Sequence, residues 1–199
     1  MANKITLARI PFLALIILLL YTDSATTRLV AAPLILLLIL MDTLDGYLAR
    51  SRGEASLLGS VLDIAADRTV EYVLWVVFAH LGLIPIYFPL LVIVRGTFVD
   101  TIRSVAPARG ITPFKLMRTD LGRFLVGSPW MRTTYGVAKA TAFILLALGW
   151  GLHTAGHSWA DGVALAAQIV AWVALVICVV RGLPVLIEAP KVLRESETA

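Results

Sequence analysis

One cysteine in 199 residues, three histidines and a charged fraction of only 15% leave little with which to build a disulfide framework or a soluble surface. Soluble domains carry about 25% charged residues. A disordered chain is excluded by the apolar content, a collagen-like chain by the lack of glycine periodicity, and a disulfide scaffold by the cysteine count. The one cysteine, Cys178, stands in the run AWVALVICVV and reads as a small buried hydrophobe. No soluble linker, low-complexity stretch or internal repeat stands out. What is abundant is apolar: 59% of the residues are hydrophobic, with a mean hydropathy of +0.89. The composition is that of a membrane protein. At about 20 residues per span, the length suits roughly six transmembrane helices with little left over. The net charge of +4 then points to cytoplasmic loops and anionic headgroups rather than to nucleic acid.

The apolar runs predict helices at roughly 5–22, 29–49, 59–81, 83–105, 133–152 and 159–182. The first run also suits the apolar core of a secretory signal peptide. Its continuity with the helix-compatible ITLAR before it favours a retained helix. With the N-terminus in the cytoplasm, Lys4, Arg9, Arg50, Arg52, Arg103, Arg109, Lys115, Arg118, Arg123, Arg132, Arg181, Lys191 and Arg194 all fall on the cytoplasmic side, and only Arg28 falls opposite. The positive-inside rule therefore places both termini in the cytoplasm. The 104–132 connection alternates basic and apolar residues and reads as a segment lying along the membrane surface. The expected architecture is an all-α integral membrane protein, a six-transmembrane-helix bundle with a short cytoplasmic interfacial segment. It forms one domain over 1–199 in the inner (cytoplasmic) membrane.

The informative residues are acids where an apolar chain should have none. Asp42 and Asp45 lie near the end of the second predicted helix, and Asp63 and Asp67 near the start of the third. At a bilayer centre each would cost about 2.5–3.5 kcal/mol, so the four are not kept by accident. Spacings of three and four put each pair on one helix face, and the topology brings both pairs to the cytoplasmic side. Four converging carboxylates repel unless cations hold them. An all-oxygen cluster suits Mg²⁺, Mn²⁺ or Ca²⁺ rather than zinc or copper, and two divalent ions balance four carboxylates. Gly46 and Gly59 among the acids suggest close approach of a ligand or of a neighbouring backbone. Arg50 could present its fork to a phosphate or simply flank the membrane.

Together these residues read Asp42-Thr-Leu-Asp45-Gly46-Tyr-Leu-Ala49-Arg50, eight residues, Gly59, three, Asp63, three, Asp67. The pattern resembles the signature of the CDP-alcohol phosphotransferase family, D-x2-D-G-x2-A-R-x8-G-x3-D-x3-D, at every fixed position and with the spacing intact. The resemblance implies a membrane enzyme that transfers a substituted phosphate from a CDP-linked donor to an alcohol and releases CMP. It implies that Asp42, Asp45, Asp63 and Asp67 hold two divalent ions, Mg²⁺ or Mn²⁺, with Asp67 also the favoured general base. It further implies that Gly46, Ala49, Arg50 and Gly59 hold the cytidine nucleotide, and that the protein is a homodimer. Such chemistry needs charge neutralisation on the diphosphate, a stabilised leaving group and a base near the attacking hydroxyl. The loose transition state of phosphoryl transfer asks more for positioning than for strong proton abstraction.

The expected donor is CDP-diacylglycerol, which can reach a site at the membrane face laterally between helices. A phosphorylated acceptor needs further cations, and Arg95, Arg103, Arg132 and Lys139 are the candidates. The segment from Val94 to Arg103 is similar in placement to the arginine-bearing fourth helix of phosphatidylglycerophosphate synthases. The segment from Arg132 to Lys139 loosely resembles the start of their fifth helix, and the opening Asn3 to Pro11 is similar to theirs. Ile64 and Arg68 follow the third and fourth aspartates, where those enzymes usually have proline and lysine. An arginine after the fourth aspartate is more like inositol-phosphate-using members. The likeness of the 94–103 and 132–139 segments makes glycerol 3-phosphate the leading acceptor, with inositol phosphate, serine and phosphatidylglycerol as alternatives.

Other features have plainer readings. Glu71 is expected to pair with Arg95 or Arg68, and Asp100 with Arg103. His153 and His157 lack a third ligand other than Asp161 and read as outer-loop residues. The five tryptophans read as interface anchors or packing. A cation transporter would also keep intramembrane carboxylates, but transport does not explain Gly46, Ala49, Arg50 and Gly59 at signature spacing. A silent scaffold would be expected to carry a broken signature.

Overall fold

The computed structural model describes residues 2–51, 57–108 and 117–198, with side chains at 6–44, 59–104 and 117–190. All regular structure among them is helical: α1 (Ala2–Tyr21), α2 (Ala25–Ser51), α3 (Leu57–His80), α4 (Tyr87–Ala108), α5 (Asp120–Gly127), α6 (Pro129–Thr154) and α7 (Ala160–Thr198). Three segments among the described residues are long and apolar enough to cross a membrane: Ala25–Leu44, Pro129–Thr154 and Ala160–Pro190; Thr6–Tyr21 is a shorter apolar helix. The other two long helices are diluted by ionisable residues. Asp63, Asp67, Arg68 and Glu71 lie in α3, and Arg95, Asp100 and Arg103 in α4.

Where helices stop follows from backbone chemistry. Gly82 (φ 75°) and Gly156 (φ 69°) adopt the left-handed conformation just past α3 and α6. After α3 the Leu83 N–H donates to the Phe78 carbonyl at 3.0 Å and the Gly82 N–H to that of Ala79 at 3.0 Å. After α6 the His157 N–H reaches the Leu152 carbonyl at 3.2 Å and the Gly156 N–H that of His153 at 3.1 Å. Both are the 6→1 and 5→2 closures for which glycine at C′ is favoured. Pro85 then disfavours helix at Ile84, so α4 begins at Tyr87 rather than near 83.

The chain divides into two compact units, Met1–Pro85 with Ala140–Ile169, and Ile86–Lys139 with Val170–Ala199. In the first, the core is formed by Leu13, Ile16 and Leu20 of α1, Ile35 and Leu38 of α2, Leu74, Trp75 and Phe78 of α3, and Phe143, Leu146 and Ala147 of α6. Trp75 meets Phe143 edge-on at 4.5 Å. At its other end Arg28 lies over the Trp150 ring at 4.4 Å and donates to Thr154 Oγ1 at 2.7 Å and to Asp23 at 3.1 Å. Trp150 Nε1–H donates to the Leu20 carbonyl at 3.2 Å, and the Tyr21 hydroxyl sits 2.6 Å from His80 Nδ1. Arg28, the one cation that sequence places opposite the rest, is thus a fixed structural residue.

Gly151 permits the closest helix approach in this unit: a Cβ there would stand 2.8 Å from the Leu29 backbone nitrogen and 2.9 Å from its side chain. Gly151→Ala is therefore expected to lower the thermal midpoint, since overpacking costs about 1–3 kcal/mol. Gly149→Ala, whose Cβ would meet Ala164 at an ordinary 3.5 Å, is the control expected to be tolerated. Thermal unfolding of the detergent-solubilised pair checks this.

The second unit buries Phe88, Val92 and Val99 of α4 with Ala171, Ala174, Leu175 and Cys178 of α7. Cys178 is the buried small hydrophobe that its run implies. Trp172 packs on Phe88 at 5.6 Å and Tyr87 at 6.1 Å. The 104–132 connection includes the short helix α5. Thr119 caps it, its Oγ1 accepting from the Gly122 N–H at 3.0 Å. The Glu188 carboxylate accepts from the Arg118 N–H at 2.6 Å, the Thr119 N–H at 3.1 Å and the Thr119 hydroxyl at 2.6 Å. Val99, Met117, Val126, Val185 and Ala189 form the cluster beneath. This packing shows why α7 runs to Thr198, through Pro184 and Pro190, rather than ending near 182: Val185, Glu188 and Ala189 all have partners to meet.

Candidate active site

Three of the four carboxylates that sequence singles out converge. α2 carries Asp42, and α3 carries Asp63 and Asp67 one turn apart. Each offers a carboxylate oxygen, and the three oxygens lie within 4.8 Å of one another. All three are half-buried, with side-chain exposures of 34%, 46% and 47%. A hard divalent cation is bound by carboxylate oxygens gathered in this way, so the donor set fits Mg²⁺ or Mn²⁺. Asp45, Gly46, Ala49 and Arg50 belong to the last turns of α2, and their side chains lie outside the described residues. Gly59 opens the same face of α3, one turn before Asp63.

A cation of the chain itself stands among the carboxylates. Arg9 of α1 has only 3% of its side chain exposed. Its Nη1–H donates to Asp42 Oδ1 at 2.6 Å and its Nη2–H to Asp67 Oδ1 at 2.8 Å, and Nη1 lies 3.8 Å from Asp63 Oδ1. Its position in sequence groups it with the membrane-flanking cations; its fork instead ties α1 to α2 and α3. The signal available in advance was electrostatic: carboxylates brought together inside a membrane protein require positive charge, and Arg9 lies at the matching end of α1. One turn further along α3, Arg68 donates to Glu71 at 3.1 Å, as their spacing suggests. Glu71 is almost fully buried.

The second unit gathers basic residues. Arg181 of α7 is buried, its Nε–H donates to the Leu125 carbonyl at 3.1 Å, and its guanidinium lies 5.7 Å from the Tyr135 ring. Lys139 Nζ lies 5.4 Å from the same ring. Arg95, Arg103 and Arg132 are all close enough to act on Arg181 as like charges. Arg95 lies across Gly182, where an added Cβ would come 2.6 Å from its Nε. The four cations that sequence proposes for an acceptor phosphate thus share one neighbourhood with a fifth, Arg181. Residue pattern alone leaves Arg181 as a flanking charge; a buried arginine on which three others act as like charges suits an anion, which relieves that repulsion.

The histidines at 153 and 157 and Asp161 are exposed, and the His157 ring lies tilted against that of Trp159 at 5.9 Å. Among the described residues the carboxylate trio is the one grouping placed to hold a metal. Of the tryptophans, Trp75 is buried in packing, while Trp130 and Trp159 are exposed.

A family profile covers most of the chain, and known proteins resemble parts of it. The CDP-alcohol phosphatidyltransferase family profile matches residues 1–180. A Rickettsia bellii protein named CDP-diacylglycerol–glycerol-3-phosphate 3-phosphatidyltransferase is 38% identical over 66 residues, 33% of this chain and 36% of that one. A Mycobacterium tuberculosis protein named probable phosphatidylglycerophosphate synthase is 28% identical over 116 residues, 57% of this chain and 56% of the relative. The chain thus spans between about a third and somewhat over half the length of these curated relatives. With the complete signature in its sequence, its carboxylates gathered on α2 and α3, and a family match over residues 1–180, the chain belongs to the CDP-alcohol phosphatidyltransferase family.

Proposed function

We propose that the protein is a phosphatidyltransferase that moves a phosphatidyl group from CDP-diacylglycerol to glycerol 3-phosphate and releases CMP. The observation that carries this is the convergence of Asp42, Asp63 and Asp67 within 4.8 Å at the signature's spacing. Asp42, Asp45, Asp63 and Asp67 hold two divalent ions, Mg²⁺ or Mn²⁺. Such ions, when bound there, would supply charge neutralisation for the diphosphate and stabilisation for the CMP leaving group. Asp67 also accepts the proton of the attacking hydroxyl, and its place one helical turn from Asp63 suits that double role. Gly46, Ala49, Arg50 and Gly59 hold the nucleotide, the small residues admitting it and the arginine pairing with phosphate.

Arg95, Arg103, Arg132 and Lys139, joined by Arg181, bind the acceptor phosphate. The crowding of the arginines supports a phosphorylated acceptor over serine, and the names of the two relatives support glycerol 3-phosphate. Arg68 after Asp67 keeps inositol phosphate as the second reading, although its pairing with Glu71 at 3.1 Å engages it locally. Six spans, both termini and the site on the cytoplasmic face, the inner membrane as location, one domain over 1–199 and a homodimer complete the reading. The charge asymmetry of the sequence supports the orientation.

The test is kcat/KM for purified protein with Mn²⁺ and CDP-diacylglycerol across glycerol 3-phosphate, inositol phosphate, serine and phosphatidylglycerol. Glycerol 3-phosphate is expected to lead. CMP release that depends on another acceptor would replace that assignment while keeping the chemistry.

A further inference from the structure

Arg9 is bound where a metal would bind, and nothing in the sequence signature accounts for it. Its two Nη groups donate to Asp42 and Asp67 at 2.6 and 2.8 Å, with Asp63 at 3.8 Å from the same fork. These are the carboxylates whose oxygens cluster within 4.8 Å. The guanidinium is held by those contacts alone among the described residues, because Arg9 Nε is buried with no hydrogen-bond partner there. A side chain anchored only through two carboxylates can leave them by rotation of its own stem, without breaking other hydrogen bonds.

We propose that Arg9 is a resident cation that competes with divalent metal for Asp42 and Asp67, so that it sets the metal affinity of the site; this rests on the metal reading above. For two ions the charges favour exchange over coexistence. Asp42, Asp63 and Asp67 together with Arg9 leave two negative charges, which a single divalent ion would already neutralise beside the arginine. With Asp45 the four carboxylates balance two divalent ions only when the guanidinium withdraws. Each Nη–H also occupies an oxygen lone pair that a metal would take, and a unit positive charge about 4 Å from an incoming cation opposes it strongly at a partly shielded site. When no ion is bound, Arg9 keeps the carboxylates from repelling one another and holds α1 against α2 and α3. The site therefore stays assembled at low metal concentration and loads only when metal is plentiful enough to displace the arginine.

The experiment is Mn²⁺ binding, read by the electron paramagnetic resonance of free Mn²⁺, together with thermal unfolding in EDTA, on the full chain in detergent. Arg9→Gln is expected to bind Mn²⁺ roughly tenfold more tightly or better, and to unfold at a lower temperature in EDTA. Arg9→Lys keeps the positive charge but replaces the two-nitrogen fork by one more strongly hydrated ammonium on a shorter stem, and is expected to bind Mn²⁺ more tightly than the native chain by a smaller factor. It also keeps the test decisive if the glutamine variant does not fold. Equal or weaker Mn²⁺ binding by the folded variants would overturn the proposal and make Arg9 an orienting residue. Loss of Mn²⁺ binding in the native chain would be a different failure, that of the metal reading itself, and Asp63→Asn marks the signal expected in that case.

Discussion

Asp63→Asn is expected to reduce turnover by on the order of 10³-fold or more, while leaving the thermal midpoint unchanged or raised. Loss of a single group stabilising developing charge costs about 10²–10³-fold, and Asp63 is proposed to act through ligation, where the carboxylate's full charge is required. Its fold contribution has the opposite sign. Asp63 stands within 4.8 Å of two other carboxylates and shares one guanidinium with them, at 3.8 Å, the longest of the three contacts. Removing that charge relieves repulsion without orphaning Arg9, which keeps Asp42 and Asp67. CMP release and differential scanning fluorimetry on the same preparation separate the two effects. A variant that stays folded and turns over at the native rate would place the metal elsewhere; one that unfolds would show that the cluster is structural.

The second large effect is expected at Arg181. Replacement by glutamine should raise KM for glycerol 3-phosphate roughly 10- to 100-fold with a much smaller change in kcat, corresponding to the ~1.5–3 kcal/mol typical of a hydrogen bond to a charged group. Arg95, Arg103 and Arg132 act on Arg181 as like charges. A bound phosphate converts that repulsion into shared attraction. Glutamine is shorter but carries its amide nitrogen where Arg181 has Nε, so it keeps a donor toward the Leu125 carbonyl, which Arg181 Nε–H now meets at 3.1 Å, and the packing of α5 should survive. The rise in KM should be absent for a neutral acceptor alcohol. Steady-state kinetics with the charged and the neutral acceptor checks this, and an equal effect on both would make Arg181 a packing residue.

The part of the site legible in sequence was the part written in one short stretch. Asp63 and Asp67 are one helical turn apart, and Asp42 lies toward the end of the preceding helix, so periodicity and topology suffice to bring them together. Arg9 comes from a third helix, 33 and 58 residues away from the carboxylates it meets. The sequence shows that such a cluster needs a cation but does not show which flanking arginine turns inward. Arg181 escaped for a similar reason: its burial depends on Leu125 and Tyr135, which local patterning does not connect to it.

The helices themselves followed the apolar runs to within a few residues wherever a glycine or proline closed them, as at Gly82 and Pro85. They diverged where tertiary partners overrode local signals. α7 continues through two prolines because Val185, Glu188 and Ala189 have partners in the core and at the α5 cap. α5 is too short to stand out as a periodic run, and its definition comes from the Thr119 cap and the Glu188 carboxylate that binds it.

The most direct measurement is the fate of label from glycerol 3-phosphate incubated with the purified protein, CDP-diacylglycerol and Mn²⁺. The expected result is labelled lipid and CMP in equal amounts, both abolished by EDTA and restored by Mn²⁺. CMP formed without labelled lipid would contradict the acceptor, and labelled lipid formed undiminished in EDTA would contradict the carboxylate metal centre on which the mechanism rests.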